Sequence, residues 1–358
     1  MPGPEGYISE FNASIDHVLR TARSALRQDN KMAYFMLKTY RDQKKAQALR
    51  NAWEEKGVHV PPSLIMSITG RCNLACAGCY AKPWKGAKEQ ELPLERITAI
   101  MREAEELGVS FMLLAGGEPL LRPEVLRAAA KVKRIVFPVF TNGMLMDDEM
   151  ASLFKKNRNV FPVVSLEGNE DFTDTRRGCG TYTRLTSLIG RLGKEGVFTG
   201  LSLTVTRKNL RTLTSDEFVD RFLGLGARLF IFVEYVPVKS GTEGLVITQE
   251  QRQVLAKRTE QLRETSKSLF ISFPGDEELY GGCLSAGRGF AHIDPFGHLE
   301  PCPFAPYHDT DLKNTSLKDA LASPLLKRIR DDPGMLREVS GGCALWANRE
   351  WLRGLTRA

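Results

Sequence analysis

From residue 63 to about 240 the chain alternates short apolar runs with amphipathic stretches, and this alternation narrows the available folds more than any single residue does. The runs occupy 64–68, 111–115, 137–141, 161–166, 201–205 and 229–236. Segments of helical periodicity lie between them at 94–107, 121–132, 147–157, 182–195 and 215–225. Strands alternating with helices build βαβ units around a parallel sheet. Six such units are too few for a closed eight-stranded barrel. The expectation is an α/β protein with a curved, partly open (βα)6 barrel and its chemistry at the C-terminal strand ends.

The flanks read differently. Ile15, Val18, Leu19, Ala22 and Leu26 recur at helical spacing, and Tyr34, Met36, Leu37 and Tyr40 continue the style until Val60-Pro61-Pro62 breaks it. Residues 1–60 are therefore expected to be a helical segment and 61–240 the core. Residues 242–270 predict one long helix within a 241–274 connector, with Thr248 as N-cap and Gln251 completing a capping box. Residues 275–358 read as a separate, cysteine-bearing region with Gly and Pro turns.

A length of 358 residues suits two or three domains, or one large barrel with additions. The net charge of +7 comes from basic residues scattered among acids, which reads as a solvated surface and gives no clear case for nucleic acid. No apolar run approaches the roughly 18–20 residues of a membrane span. Residues 1–6 lack a basic segment followed by an apolar one, so a cytoplasmic location is expected. Seven cysteines in that compartment read as metal ligands or free thiols rather than disulfides.

Three of those cysteines, Cys72, Cys76 and Cys79, stand in a CxxxCxxC array just after the first apolar run. An iron–sulfur cluster normally takes four cysteine ligands, so three from one loop leave one iron open to a small molecule. A structural zinc site would want a closed set of four, and neither a cysteine pair nor a histidine follows at suitable spacing. The five histidines form no metal-ligand spacing.

CxxxCxxC followed at once by the aromatic Tyr80 resembles the cluster loop of the radical S-adenosylmethionine (SAM) superfamily. That resemblance implies a [4Fe-4S] cluster on Cys72, Cys76 and Cys79, with the SAM methionine group on the open iron and Tyr80 along the adenine. Gly116-Gly117-Glu118-Pro119 follows the second run and resembles the motif that binds the SAM α-amino group. Thr141-Asn142-Gly143 ends the third run, where a simple Asn-Gly turn competes with a role lining the SAM site. Ser165 and Glu167 share a face by the period of two and resemble a ribose-binding strand end. Arg177, in Arg176-Arg177-Gly178, is a candidate for the SAM carboxylate, since a guanidinium matches it bidentately. The implied chemistry is one-electron reductive cleavage of SAM to a 5′-deoxyadenosyl radical that abstracts hydrogen from a substrate, with flavodoxin or ferredoxin as a typical reductant.

A second set, Cys283, Cys302 and Cys343, surrounds the turn Asp294-Pro295-Phe296-Gly297. It resembles the opening half of a SPASM/Twitch extension, with Gly341-Gly342-Cys343 a later piece. One auxiliary [4Fe-4S] cluster on three thiolates is the expectation; a full extension would need more cysteines. Cys179, Glu234 and Tyr235 are the candidates for a catalytic role, each with a bland reading beside it: a free loop thiol for Cys179, barrel packing for the other two.

The superfamily runs many reactions on one core. The short N-terminus and the single auxiliary set favour oxidation or rearrangement of a small molecule. Peptide or protein modification is the alternative, and a non-catalytic iron–sulfur electron carrier is a remote one.

Overall fold

The computed structural model describes residues 30–81, 84, 87–273, 282–337 and 343–356. The expected helix around Ile15–Leu26 and the Gly341-Gly342 pair fall outside that set.

Helix α1 (Asn30–Glu54) leads into β1 (Ser63–Ser67). Then follow α2 (Leu94–Leu107), β2 (Phe111–Ala115), α3 (Pro123–Ala129), β3 (Phe137–Thr141), α4 (Asp148–Lys156) and β4 (Val160–Leu166). Two helices, α5 (Glu170–Arg177) and α6 (Thr181–Lys194), precede β5 (Thr199–Val205); α7 (Leu210–Leu213) and α8 (Asp216–Leu225) precede β6 (Ala227–Glu234). Helix α9 (Gln249–Thr265) leads to β7 (Leu269–Phe273). The C-terminal part holds β8 (Phe290–Ile293), β9 (Leu299–Glu300), α10 (Leu317–Leu321), α11 (Pro324–Arg330), α12 (Ala344–Ala347) and α13 (Arg349–Leu355).

The nine strands among the described residues form one sheet in the order β7-β6-β5-β4-β3-β2-β1-β8-β9. Neighbours from β7 through β8 are parallel, and β8–β9 is an antiparallel hairpin. The sheet is not closed, since β7 and β9 are its edges. The six expected strands are present, in chain order, as a partial barrel. The connector 241–274 is expected to be one long helix. It contains α9, with the Thr248–Gln251 capping box in place, and then β7. The N-terminal helix stops at Glu54, ahead of Val60-Pro61-Pro62, and β1 starts directly after the prolines. The hairpin β8–β9 docks on β1, so the cysteine-bearing C-terminal part extends the same sheet and shares its largest apolar cluster.

Period-two geometry sorts the side chains. Leu64, Met66, Met112 and Leu114 are fully buried against helices. Ile65, Phe111, Leu113 and Ile231 are only half-buried, on the concave face of the sheet. Local signals set the helix starts: Asp147, Asn169 and Ser215 each accept a hydrogen bond from a first-turn backbone N–H. No helix among the described residues is long and apolar enough to cross a membrane.

Candidate active site

The C-terminal ends of β1 to β4 and of β6 meet the cysteine loop. Two turns lock that loop in place. Gly117 N–H donates to the Thr69 carbonyl at 2.7 Å and Glu118 N–H to the Arg71 carbonyl at 2.9 Å. Only glycine fits here: a Cβ on Gly117 would lie 2.0 Å from the Arg71 carbonyl oxygen, and one on Gly116, held at φ +126°, 2.4 Å from that of Thr69. Glu91 fixes the other side, accepting from the Thr69 hydroxyl and the Gly70 N–H, both at 2.8 Å. Nothing in the spacing of the motifs pointed to Glu91.

Glu118 is fully buried. One carboxylate oxygen accepts from the Thr141 hydroxyl at 2.6 Å and Leu120 N–H at 3.0 Å, the other from Asn142 N–H at 2.7 Å. Burial raises its pKa above the usual carboxylate value, against these hydrogen bonds and Arg177, which lower it. Pro119 starts the short 3-10 turn that follows. Glu118 thus ties the turn after β2 to the end of β3. Asn142 reaches back to the loop, donating to the Asn73 side chain at 2.8 Å and lying 3.8 Å from the Cys72 sulfur.

At the end of β4, Glu167 is 2% exposed. It accepts from Arg177 twice, at 2.6 and 2.7 Å, and from Arg176 at 2.9 Å. Arg176 also donates to the Ala77 carbonyl, and its own carbonyl accepts from Ala77 N–H at 3.0 Å. Helix α5 therefore carries the charge pair and clamps the cysteine loop. Arg177 is held more firmly protonated than usual: burial opposes this, and Glu167 together with the Cys76 and Cys79 sulfurs outweighs it. Ser165 lies one pleat earlier, opposite Ser202 of β5, and is half-buried on the concave face.

Cys72, Cys76 and Cys79 are half-buried, and no disulfide joins any of the seven cysteines. Burial pushes the Cys76 thiol up; Arg177 and Arg176 pull it down, while Cys79 adds to the rise. Two loop sulfurs thus lie within electrostatic reach of each other and of two guanidiniums. No three His, Cys, Asp or Glu side chains among the described residues gather around one ion. A [4Fe-4S] cluster does not ask for that, because each thiolate binds a different iron. Three thiols on one glycine-cradled loop, beside fixed positive charge, fit the cluster.

Tyr80 lies within electrostatic reach of both cysteine sets. Burial raises its phenol pKa, and the Cys79 and Cys302 sulfurs add to the rise, against a hydrogen bond with Ser67. Its ring packs edge-on against Trp84 at 5.7 Å and Phe304 at 5.5 Å. Below it Ser67 meets His292 Nε2 at 2.9 Å, and His292 Nδ1 meets Glu300 at 2.7 Å. This buried chain, with Trp84 stacked on His292, links β1 to the β8–β9 hairpin and was not foreseen. Cys283 and Cys302 are buried at the two ends of the hairpin segment, where Ala286 N–H bonds the Pro301 carbonyl at 3.0 Å. Cys343 is half-buried at the start of α12.

The three catalytic candidates part company. Cys179 is exposed, in the turn between α5 and α6. Glu234 is buried in an ion pair with Arg252 of α9. Burial raises its pKa while Arg252 lowers it. Tyr235, buried at the end of β6, points its hydroxyl at Gly78 of the cysteine loop.

Residues 66–220 match the family model of the radical SAM superfamily. The mycofactocin maturase MftC of Mycobacterium tuberculosis is 30% identical over 321 residues, covering 84% of this chain and 79% of that protein. The AdoMet-dependent heme synthase of Methanosarcina barkeri is 24% identical, covering 80% and 89%. Among solved structures, Streptococcus suis SuiB bound to precursor peptide SuiA superposes with a TM-score of 0.64 at 20% identity, covering 89% of this chain and 76% of that one, a likeness of fold. With the cysteine loop, its glycine cradle and the partial barrel in place, this chain belongs to the radical SAM superfamily and is a SAM-dependent iron–sulfur enzyme.

Proposed function

We propose that this enzyme modifies a ribosomally made peptide. The observation that carries the reading is the breadth of the MftC match, which spans most of both chains and not the barrel alone. SuiB, seen with its precursor peptide, shares the fold over a similar extent. This reverses the preference drawn from the short N-terminus and the single auxiliary cysteine set. Oxidation of a small molecule stays as the second reading, because the heme synthase match covers 89% of that protein.

In this proposal Cys72, Cys76 and Cys79 hold the [4Fe-4S] cluster, and Cys283, Cys302 and Cys343 hold an auxiliary one. When bound, cluster and SAM supply the carbon radical that removes hydrogen from the substrate. The chain's own residues position and shield. Gly116 and Gly117 bring backbone close to the SAM amino group, while Glu118, its oxygens already occupied by protein donors, holds that turn against Thr141 and Asn142. Pro119 stiffens the turn. Ser165 and Glu167 face the ribose, Tyr80 the adenine, and Arg177 sets the charge around Glu167 and Cys76. The half-buried apolar residues of the concave face receive the substrate. An external one-electron reductant such as flavodoxin or ferredoxin, and a reducing cytoplasm that keeps the thiols from oxidation, complete the proposal.

The test is 5′-deoxyadenosine release by anaerobically reconstituted enzyme given SAM and dithionite. Short peptides encoded beside its gene are compared with a porphyrin and metabolite pool. Release that rises with one peptide, with a mass change on that peptide, supports maturation. Release that rises only with the pool overturns it in favour of the second reading.

A further inference from the structure

Tyr235 follows β6 and shares the concave face with Ile231 and Val233. Its N–H donates to the Val205 carbonyl at 2.9 Å, which seats it on the C-terminal rim beside β5. The residue is 6% exposed, and its hydroxyl has no hydrogen-bond partner among the described residues. A buried donor left unsatisfied costs about 1–3 kcal/mol, so such a group calls for an acceptor at the place it faces.

That place is the cysteine loop. A Cβ built on Gly78 would stand 2.6 Å from the Tyr235 hydroxyl oxygen, and 3.2 and 3.3 Å from ring atoms Cε2 and Cζ. Gly78 sits between Cys76 and Cys79 and is held at φ +67°. The lack of a side chain and the left-handed backbone at this point are what let the phenol reach the loop between the two sulfurs. With a cluster on the loop, the strongest acceptors there would be the Cys76 and Cys79 thiolates and the cluster's own sulfides.

We propose that Tyr235 donates its phenolic hydrogen bond to a sulfur of the SAM-binding cluster and so raises that cluster's reduction potential. The proposal rests on the cluster assignment above. An added electron makes cluster sulfur more basic, so a donor favours the reduced state. The Arg176 and Arg177 charges near Cys76 act in the same sense. Tyr235 then eases the electron transfer that must precede SAM cleavage, and takes no hydrogen atom from the substrate.

The experiment compares wild type and Tyr235→Phe, both full-length and anaerobically reconstituted. Redox titration follows the electron-paramagnetic-resonance signal that changes on adding SAM, which separates this cluster from any C-terminal one. The expected result is a midpoint shifted to more negative potential in the variant, with iron content and SAM affinity unchanged. An unmoved midpoint overturns the proposal. Weaker SAM binding with an unmoved midpoint overturns it too, and assigns the hydroxyl to SAM. A second measurement needs only wild type: an exchangeable proton strongly coupled to the reduced cluster, lost in deuterated buffer. Its absence overturns the proposal even if Tyr235→Phe folds poorly. A wild type with no SAM-responsive signal would instead sink the cluster assignment itself.

Discussion

Arg177 holds Glu167 through two hydrogen bonds, at 2.6 and 2.7 Å, with both side chains nearly excluded from solvent. A fork-to-carboxylate pair of this kind fixes orientation as well as charge. It joins the end of β4 to helix α5, whose Arg176 grips the cysteine loop at Ala77. The pair is thus part of how the sheet positions its cysteine loop.

Removing one partner leaves the other buried and uncompensated, at a cost of roughly 3–5 kcal/mol. Glu167→Ala should lower the unfolding free energy by that order, because it strands both Arg177 and Arg176. Urea denaturation of the metal-free chain checks this. A loss below about 1 kcal/mol, the range of surface pairs, would show that water reaches the pair.

Gly117→Ala should separate the two turns that hold the cysteine loop. The new methyl would meet backbone, the Arg71 carbonyl at 2.0 Å and that of Gly70 at 3.0 Å, so no flexible side chain can yield. Overpacking of this kind typically costs about 1–3 kcal/mol. Displacing reacting groups by even 1 Å costs on the order of a hundredfold in rate. SAM cleavage should fall by that order in an otherwise folded variant. Undiminished cleavage would mean the cradle is not needed.

Much of this was legible in the chain. Hydrophobic alternation marked six strands because they are buried on the helix side and mostly apolar, and the cysteine loop follows directly on the first. Helix α5 was missed because Asp171, Asp174, Arg176 and Arg177 give it little apolar face, its use being to present charge to Glu167. Strand β7 was absorbed into the preceding helix because its five residues run on from α9 with only a short break. The partners of Glu118 and the loop position that Tyr235 faces could not be read, since pairing across strands depends on register, which motif spacing does not encode.

The Ser67–His292–Glu300 chain predicts an unusual pH dependence. Burial lowers the His292 pKa from 6.5 to about 3 and raises that of Glu300 from 4.5 to about 9. At neutral pH the carboxyl is therefore protonated and donates to Nδ1, while Nε2–H of a neutral imidazole donates to Ser67. Between pH 3 and 6.5 the unfolded chain binds the histidine proton and the folded one does not, so this group makes stability rise with pH. Between pH 4.5 and about 9 the folded chain keeps the glutamate proton that the unfolded one releases, so stability falls as pH rises. Glu300→Gln removes only the second effect. Thermal melts should show the variant gaining on wild type steadily from pH 5 to pH 9, with the two alike near pH 4. Parallel profiles across that range would refute the buried acid.

Iron content separates the two cysteine sets. Cys283 and Cys302 lie at the ends of the β8–β9 hairpin segment, while Cys72, Cys76 and Cys79 lie in the loop after β1, so losing one set should not empty the other. Wild type should bind about eight irons after anaerobic reconstitution, two [4Fe-4S] clusters, and the Cys72/Cys76/Cys79→Ala variant about four. Cys76→Ala alone should abolish SAM cleavage while the auxiliary iron stays. Wild type at about four irons, falling to none in the triple variant, would leave Cys283, Cys302 and Cys343 as ordinary thiols. SAM cleavage surviving in Cys76→Ala would remove the loop from the active site altogether.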